Sequence, residues 1–371
     1  MAIWKIDELG EFVTLKRGYD LPQQKRKNGE IPIFSSSGVT GTHNEAMVEA
    51  PGVITGRYGT IGEVFFAETS FWPLNTTLYV ENFHENDEKF VYYFLKTLEW
   101  KKFASASAVP GINRNTVHKE IVRFPDFETQ QKIASVLSTI DKKIAVNKAI
   151  NDNLEQQAAT YFQELFINNA NPMWQISTIG DLGTVVGGST PSKTKPEYYT
   201  NNGIAWITPK DLSINKSKFI SHGENDITEL GLKNSSATVM PKGTVLFSSR
   251  APIGYIAIAS NEVTTNQGFK SVIPYSEIGT AFVYFFLKHS LPVIESAASG
   301  STFKEISGSA MKNIPAIIPD RNTLDQFNSF CAPIFAQQKI LEEQNHSLAM
   351  LRDSLLPKLM SGAIDIVSIQ L

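Results

Sequence analysis

Two long stretches of the chain repeat their apolar residues in alternating steps of four and three. Between Glu128 and Phe166 the positions are Ile133, Leu137, Ile140, Ile144, Asn147, Asn151, Leu154, Ala158, Tyr161 and Leu165, with no Pro or Gly inside the stretch. A 3.5-residue period predicts a helix that packs along a seam against another helix. At about 1.5 Å per residue it is roughly 55–60 Å long, too long to belong to one small domain. Between Leu324 and Leu359 the same rhythm returns in Phe327, Phe330, Ile334, Gln337, Leu341, Gln344, Leu348, Leu351 and Leu355. Each seam is apolar at both ends and polar in the middle. Antiparallel pairing would bring Asn147, Asn151, Gln337 and Gln344 into one polar layer, and buried amides of that kind fix register at some cost in stability. The plainer alternative is two unrelated amphipathic helices on separate cores. Pro333, one turn into the second seam, is expected to kink or delay that helix.

The rest of the chain is also repeated. Trp4-Lys5-Ile6-Asp7-Glu8-Leu9-Gly10 returns as Trp174-Gln175-Ile176-Ser177-Thr178-Ile179-Gly180, Arg57 to Gly62 as Arg250 to Gly254, Tyr92 to Lys96 as Tyr284 to Lys288, and Phe124-Pro125 as Ile318-Pro319. The second copy is about 22 residues longer between its first motif and its arginine, an estimate from the changing repeat spacing. One unit is thus duplicated: a globular part, a long helix, a globular part, a long helix. Short β-rich runs such as Gly52 to Thr55 and Glu63 to Phe66, broken by Gly, Pro and Asn, predict a twisted sheet with long loops. Asn86 to Phe103 predicts an amphipathic helix with Phe90, Tyr93, Phe94 and Leu98 on one face, and its counterpart runs from about Gly279 to Ser290. The expected class is α+β: two similar β-rich α/β domains, separated by two long helices that form an antiparallel coiled coil, with pseudo-two-fold symmetry. The expected boundaries are residues 1–125 for the first globular part, 126–167 for the central helix, 168–319 for the second globular part, and 320–371 for the C-terminal helix and tail. Two heads on a rod of this kind suit a long ligand that is itself pseudo-two-fold, and duplex DNA is the obvious one.

Composition narrows the function mainly by exclusion. With 42% hydrophobic and 19% charged residues the chain is globular rather than disordered. No apolar run of about eighteen residues exists to span a membrane, and the charged start at Lys5, Asp7 and Glu8 does not resemble a signal peptide. The lone Cys331 has no internal disulfide partner, which fits a reducing cytoplasm. A net charge of −3 does not mark a nucleic-acid binder, so any such role rests on local basic patches. No metal-ligand spacing occurs, and Gly56 to Gly62 lacks the Lys-Ser/Thr of a phosphate loop, reading instead as a tight turn between strands. Asp126 and Asp320 follow prolines at helix starts, where Asp is a capping residue rather than part of a nuclease site. The usual amino-methyltransferase motif is missing. These absences point to a binder without catalytic residues.

Local patches that suit DNA fall at corresponding places in the two repeats. In the first, the candidates are Lys16, Arg17, Lys25, Arg26, Lys27, Ser36, Ser37, Thr40, His43, Arg57, Tyr58, Asn75 and Arg114. In the second they are Ser189, Thr190, Lys193, Lys195, Tyr198, Lys210, Ser249, Arg250, Asn266, Gln267 and Lys304. Lys and Arg neutralise phosphates, while Arg, Gln and Asn form paired hydrogen bonds with base edges. Each residue taken singly is equally at home on a solvated loop. Arg57 and Arg250 fit structural salt bridges as well as DNA contacts. The loops differ most between the copies, as two different half-sites would require.

Together these residues carry a family resemblance over nearly the whole chain. Leu21-Pro22 with Lys25-Arg26 and Gly29, the Gly56 to Gly62 turn, Gly187-Gly188-Ser189-Thr190-Pro191, Trp206-Ile207-Thr208, Ser248 to Gly254, Asn266-Gln267-Gly268-Phe269 and Leu355 to Gly362 resemble motifs of type I restriction–modification specificity subunits. The resemblance implies two target-recognition domains, each reading half of a split DNA sequence, with the helices setting the spacer. It implies no chemistry and no bound cofactor in this chain. S-adenosylmethionine, ATP and Mg would belong to the partners, namely two methyltransferase subunits and restriction/translocase subunits. Around Pro319 to Gln326 the second helix start matches the family less closely than Glu128 to Gln131 does. A coiled-coil scaffold whose heads bind proteins is the competing reading.

Overall fold

Both long helices form, and each contributes to two separate cores. The computed structural model describes residues 3–105, 110–300 and 304–366. It divides into unit 1, residues 1–145 with 346–371, and unit 2, residues 146–345. The division therefore runs through the helices rather than at their ends.

Unit 1 begins with β1 (Trp4–Glu8), β2 (Thr14–Arg17), β3 (Ile31–Ser35), β4 (Gly38–His43), β5 (Gly52–Gly56), β6 (Val64–Ala67), β7 (Trp72–Pro73), β8 (Thr77–Asn82) and β9 (Ile121–Pro125). They form a sheet in the order β2-β8-β5-β6, a smaller one in the order β4-β3-β7, and an antiparallel ribbon of β1 with β9. The helix expected from Asn86 to Phe103 is shorter, Glu88–Lys96. Asp87 caps its start by accepting from the Phe90 N–H at 2.8 Å. At its end the Thr97 hydroxyl donates to the Phe94 carbonyl and the Trp100 indole N–H donates to the Leu95 carbonyl at 2.8 Å. Those side chains satisfy carbonyls that a longer helix would have paired internally, and the chain turns into a short 3-10 segment, Trp100–Phe103.

Unit 2 repeats the plan with β10 (Gln175–Thr178), β11 (Gly183–Gly187), β12 (Tyr199–Thr200), β13 (Ile204–Ile207), β14 (Phe219–Ile220), β15 (Asn225–Ile227), β16 (Val245–Ser249), β17 (Ile253–Ala259), β18 (Thr264–Thr265), β19 (Lys270–Pro274) and β20 (Pro315–Ile318). Its main sheet has the order β11-β19-β16-β17-β14, and β10 with β20 forms the matching ribbon. In unit 1 only Ser36 and Ser37 connect β3 to β4, whereas residues 208–224 lie between β13 and β15 and add β14 to the sheet edge. The counterpart of the amphipathic helix is Thr280–His289.

The first long helix spans Phe127–Gln163 and the second Arg321–Met360. Asp126 and Asp320 cap them in the same way, accepting from the Thr129 and Thr323 N–H groups at 3.0 and 3.1 Å. Backbone donors hold both carboxyls below the usual range: Ile3 N–H first for Asp126, Thr323 N–H first for Asp320. In unit 2, Tyr161 packs on Phe330 at 4.6 Å, and Asn147 donates to Asn345 at 3.0 Å. In unit 1, Arg352 pairs with Asp141 at 2.8 Å, while Ile133 and Leu137 share a core with Leu359. Rising numbers on one helix meet falling numbers on the other, so within each unit the pair is antiparallel. Pro333 neither kinks nor delays the second helix, which is continuous through it. Its ring lies on the exposed face, between the buried Cys331 and Ile334 that hold the helix to the core.

The seam of the first helix lies where its sequence places it, but that of the second is shifted at every other position. Phe327, Ile334 and Leu341 are buried, and Leu348 and Leu355 are partly so. Between them the buried or half-buried residues are Cys331, Gln338, Asn345 and Arg352, not Phe330, Gln337, Gln344 and Leu351. From Phe327 the steps run four then three, and the sequence permits the opposite order because Phe330 and Leu351 are the more apolar choices. Gln337 is therefore corrected to an exposed position, and Gln338, 3% exposed, takes its place. Its amide donates to the Asn151 carbonyl at 3.1 Å. Gln344 is exposed but still accepts from the fully buried Asn147 at 3.4 Å. Cys331 is fully buried, and desolvation pushes its thiol up to about 12.

This phase makes a direct prediction. Gln338→Leu should lower unfolding free energy by about 1–3 kcal/mol, because it strips buried polar groups of their partner. Gln337→Leu should change it by less than about 0.5 kcal/mol. Equal losses in chemical denaturation would refute the phase. The Cys331 thiol should also resist a thiol reagent at neutral pH until the protein unfolds.

Candidate nucleic-acid interface

In unit 1 the candidate loops are tied together by their backbones. β2 ends at Arg17, and Gly18 then passes so close to the Pro73–Leu74 turn that an added Cβ would lie 2.2 Å from the Leu74 carbonyl oxygen. The Arg57 and Tyr58 N–H groups donate to the Thr76 carbonyl at 2.9 and 3.3 Å, and Asn75 donates to Asp20. Ser36, at the β3–β4 hairpin, lies against Gly56 and Gly59. Arg57 also donates through Nε to the Ile112 carbonyl at 3.1 Å, which places the segment leading to Arg114 beside the same turn. Its guanidinium sits 4.5 Å from the Tyr58 ring centre. Arg17, Ser36, Arg57, Tyr58, Asn75 and Arg114 are thus carried by one group of connected loops.

The basic run Lys25-Arg26-Lys27 follows a short 3-10 turn, and the Lys27 N–H donates to His43 Nδ1 at 3.0 Å. Arg17, Lys25, Lys27 and Arg114 are exposed and form no ion pair among the described residues, whereas Lys16 pairs with Glu81. Ser37 and Thr40 are exposed on the β3–β4 hairpin. His43 is not available to a ligand, a correction to the sequence reading. It is 4% exposed, packed edge-on against Trp72, and its ring nitrogen serves as an acceptor for the basic loop.

Unit 2 gathers the corresponding loops with different chemistry. The Ser189 N–H donates to the Thr265 carbonyl at 2.9 Å, and the Trp206 indole donates to the Ser189 carbonyl at 3.0 Å. Thr190 donates to Gln267, the Asn266 N–H donates to the Ile207 carbonyl at 3.0 Å, and the Ser249 N–H donates to Gly268 at 2.7 Å. Gly188 has no room for a side chain, since a Cβ would fall 2.0 Å from the Asn266 carbonyl oxygen. Glu305 holds two cations, Arg250 at 3.2 Å and Lys270 at 3.3 Å. Lys193, Lys195 and Lys304 are exposed without an ion pair among the described residues, and Lys210 pairs with Glu224 at 2.7 Å.

Two further sequence candidates are corrected. Tyr198 is 5% exposed, under Lys195 and against the helix that begins at Glu229. Ser249 is fully buried at the end of β16, a strand buried on both faces, and its hydroxyl faces Glu305 at 3.5 Å. Sequence reasoning also missed Lys270 and Glu305. Lys270 follows the Asn266-Gln267-Gly268-Phe269 motif directly, and that adjacency was the available signal; nothing in the sequence linked Glu305 to it.

Among the described residues no cluster of His, Cys, Asp or Glu could hold a metal ion, and no helix is long and apolar enough to cross a membrane.

Comparison with known proteins bears on both repeats. The family model for the type I restriction modification DNA specificity domain matches residues 1–156 and again 171–345. The type I restriction enzyme MjaIX specificity subunit of Methanocaldococcus jannaschii is 43% identical over 162 residues, covering 43% of this chain and 37% of that protein. The HindI specificity subunit of Haemophilus influenzae is 24% identical over 347 residues, covering 72% of this chain and 75% of that one. The S subunit of a type I restriction-modification system from M. genitalium shares the fold, with a TM-score of 0.65 at 18% identity over 96% of each chain.

The burial of His43 and Tyr198 separates structural from surface roles. His43→Ala and Tyr198→Ala should each lower the thermal midpoint by several degrees. Lys25→Ala and Lys193→Ala should leave it within about a degree, since exposed positions without partners contribute little. A thermal melt in which all four behave alike would contradict this assignment.

Proposed function

The chain belongs to the type I restriction modification DNA specificity family, and we propose that each of its repeats reads one half of a split double-stranded DNA target. As a specificity component it supplies recognition rather than catalysis. The observation that carries the proposal is the recurrence of one scaffold with two differently furnished loop groups. The first presents Arg17 and Arg114 on the loops joined to Arg57, and Lys25 and Lys27 on the basic loop held by His43. The second presents Lys193, Lys195 and Lys304 around the Thr190–Gln267 pair and Arg250. Exposed lysines and arginines suit phosphates, and the half-exposed Arg57, Arg250 and Asn266 suit base edges.

The two long helices are assigned the spacer, because each is divided between the two units. On the same reading, two methyltransferase subunits dock on this chain, restriction/translocase subunits join the complex, and S-adenosylmethionine, ATP and Mg are bound by those partners.

Mapping methylated bases after co-expression with the host's methyltransferase subunit tests the proposal. Two short half-sites separated by a fixed, unread spacer are expected, and a single continuous motif or none would overturn it. Lys25→Ala with Lys27→Ala should weaken binding across all sequences and reduce the salt dependence by about one to two counterions. Arg250→Ala should relax one position of one half-site by about 1–3 kcal/mol.

A further inference from the structure

Residues 208–224, the excursion that unit 2 has and unit 1 lacks, are bolted to the long helices by a buried lysine. The Lys218 and Phe219 N–H groups donate to the two carboxylate oxygens of Glu342 at 2.7 and 3.0 Å. The Lys218 ammonium pairs with Glu155 and donates to Gln338 Oε1 at 2.6 Å. It also lies 4.2 Å from the Phe335 ring centre and 4.8 Å from that of Tyr284. A lysine this buried is rare and costs stability unless it is paired, and here two helices and the Tyr284 ring surround it. Glu155 additionally takes Lys288 at 2.5 Å and the Tyr284 hydroxyl at 3.2 Å.

The other end of the excursion leads to the candidate interface. Asp211 clasps its two roots, accepting from the Thr208 N–H at 2.7 Å and the Glu224 N–H at 2.8 Å. Thr208 follows β13, whose Trp206 holds the Ser189 carbonyl and whose Ile207 carbonyl holds the Asn266 N–H. The backbone from Phe219 to Glu224, the Asp211 clasp and the hydrogen bonds of β13 therefore join Lys218 to the loops that carry Ser189, Thr190 and Asn266. β14 adds stiffness by lying parallel to β17, with Phe219 opposite Ile258.

We infer that Lys218, with Glu155 and Glu342, is a positioning residue for DNA reading by the second repeat, holding its loops at a set place on the helix pair. Unit 1 has only a two-residue hairpin at the corresponding point, so the first repeat does not depend on such an anchor. The inference rests on the DNA-reading proposal above.

The test uses the full chain assembled with its methyltransferase subunit and selects targets from a randomised DNA library. Lys218→Met combined with Glu155→Gln removes the buried charge pair and leaves only Lys288, whose side chain is exposed enough to be solvated, without its carboxylate. It is expected to relax base discrimination roughly 3- to 30-fold in one half-site only. That half-site should be the one weakened by Lys193→Ala with Lys195→Ala. If the double variant does not fold, Glu342→Gln, which keeps the lysine pair and loses one backbone bond, should relax the same half-site to a smaller extent. Unchanged discrimination in a variant that melts like the wild type would overturn the inference, as would equal relaxation of both half-sites. A wild-type complex that selects no split target would instead sink the underlying DNA reading.

Discussion

Neither globular unit closes its core without both long helices. In unit 1, Leu9, Phe12, Phe90 and Phe94 are buried together with Ile133 and Leu137 from the first helix and Leu359 and Met360 from the second. In unit 2, Phe247, Phe282 and Phe285 are buried with Ala158, Phe162 and Phe166, and with Leu324, Phe327 and Cys331. An isolated helix of this length gains little from propensity; most helical stability comes from such apolar contacts. The helices are therefore structural walls as well as connectors, and a change in their pairing is felt directly in both sheets.

The polar groups that lie on this seam serve different purposes in the two units. In unit 1 the Arg352–Asp141 pair also receives the Tyr93 hydroxyl at 2.6 Å, so one carboxylate joins both helices to the globular part. In unit 2 the equivalent task falls to Glu155 with Lys218 and Lys288. Burial raises the phenols of Tyr93 and Tyr284, with Asp141 adding to it for Tyr93 and Glu155 for Tyr284, and the cations hold Glu155 below the usual carboxylate range despite its burial. Each unit thus ties a tyrosine hydroxyl of its globular part to a carboxylate of the first long helix, with different cations around it.

Much of this architecture was legible because periodicity and repetition are physical signals. The first seam, from Ile133 to Leu165, is recoverable because its apolar positions have no competing register. The second was ambiguous because Phe330 and Leu351 are more apolar than Cys331 and Arg352, and only the tertiary partners Lys218, Asn147 and Asp141 decide the phase. The candidate loops were legible as loops, since Gly, Pro and Asn punctuate them. Which of their side chains face outward was not. His43 is buried because Trp72 and the Lys27 N–H both require it, and both lie elsewhere in the sequence. Lys218 was invisible as an anchor, because a lysine near a strand looks like any surface lysine until Glu342 arrives from 124 residues away.

The way the units share the chain has a consequence for synthesis on the ribosome. Unit 2 is one uninterrupted stretch, whereas unit 1 draws on residues 346–371 as well as 1–145. The first half of the chain therefore emerges with Ile133 and Leu137 uncovered and must wait for Leu355 and Leu359. Domains generally fold in the order in which they are made, yet here the segment translated first is the one finished last. Until then its aromatic interior is exposed to whatever else the nascent polypeptide meets.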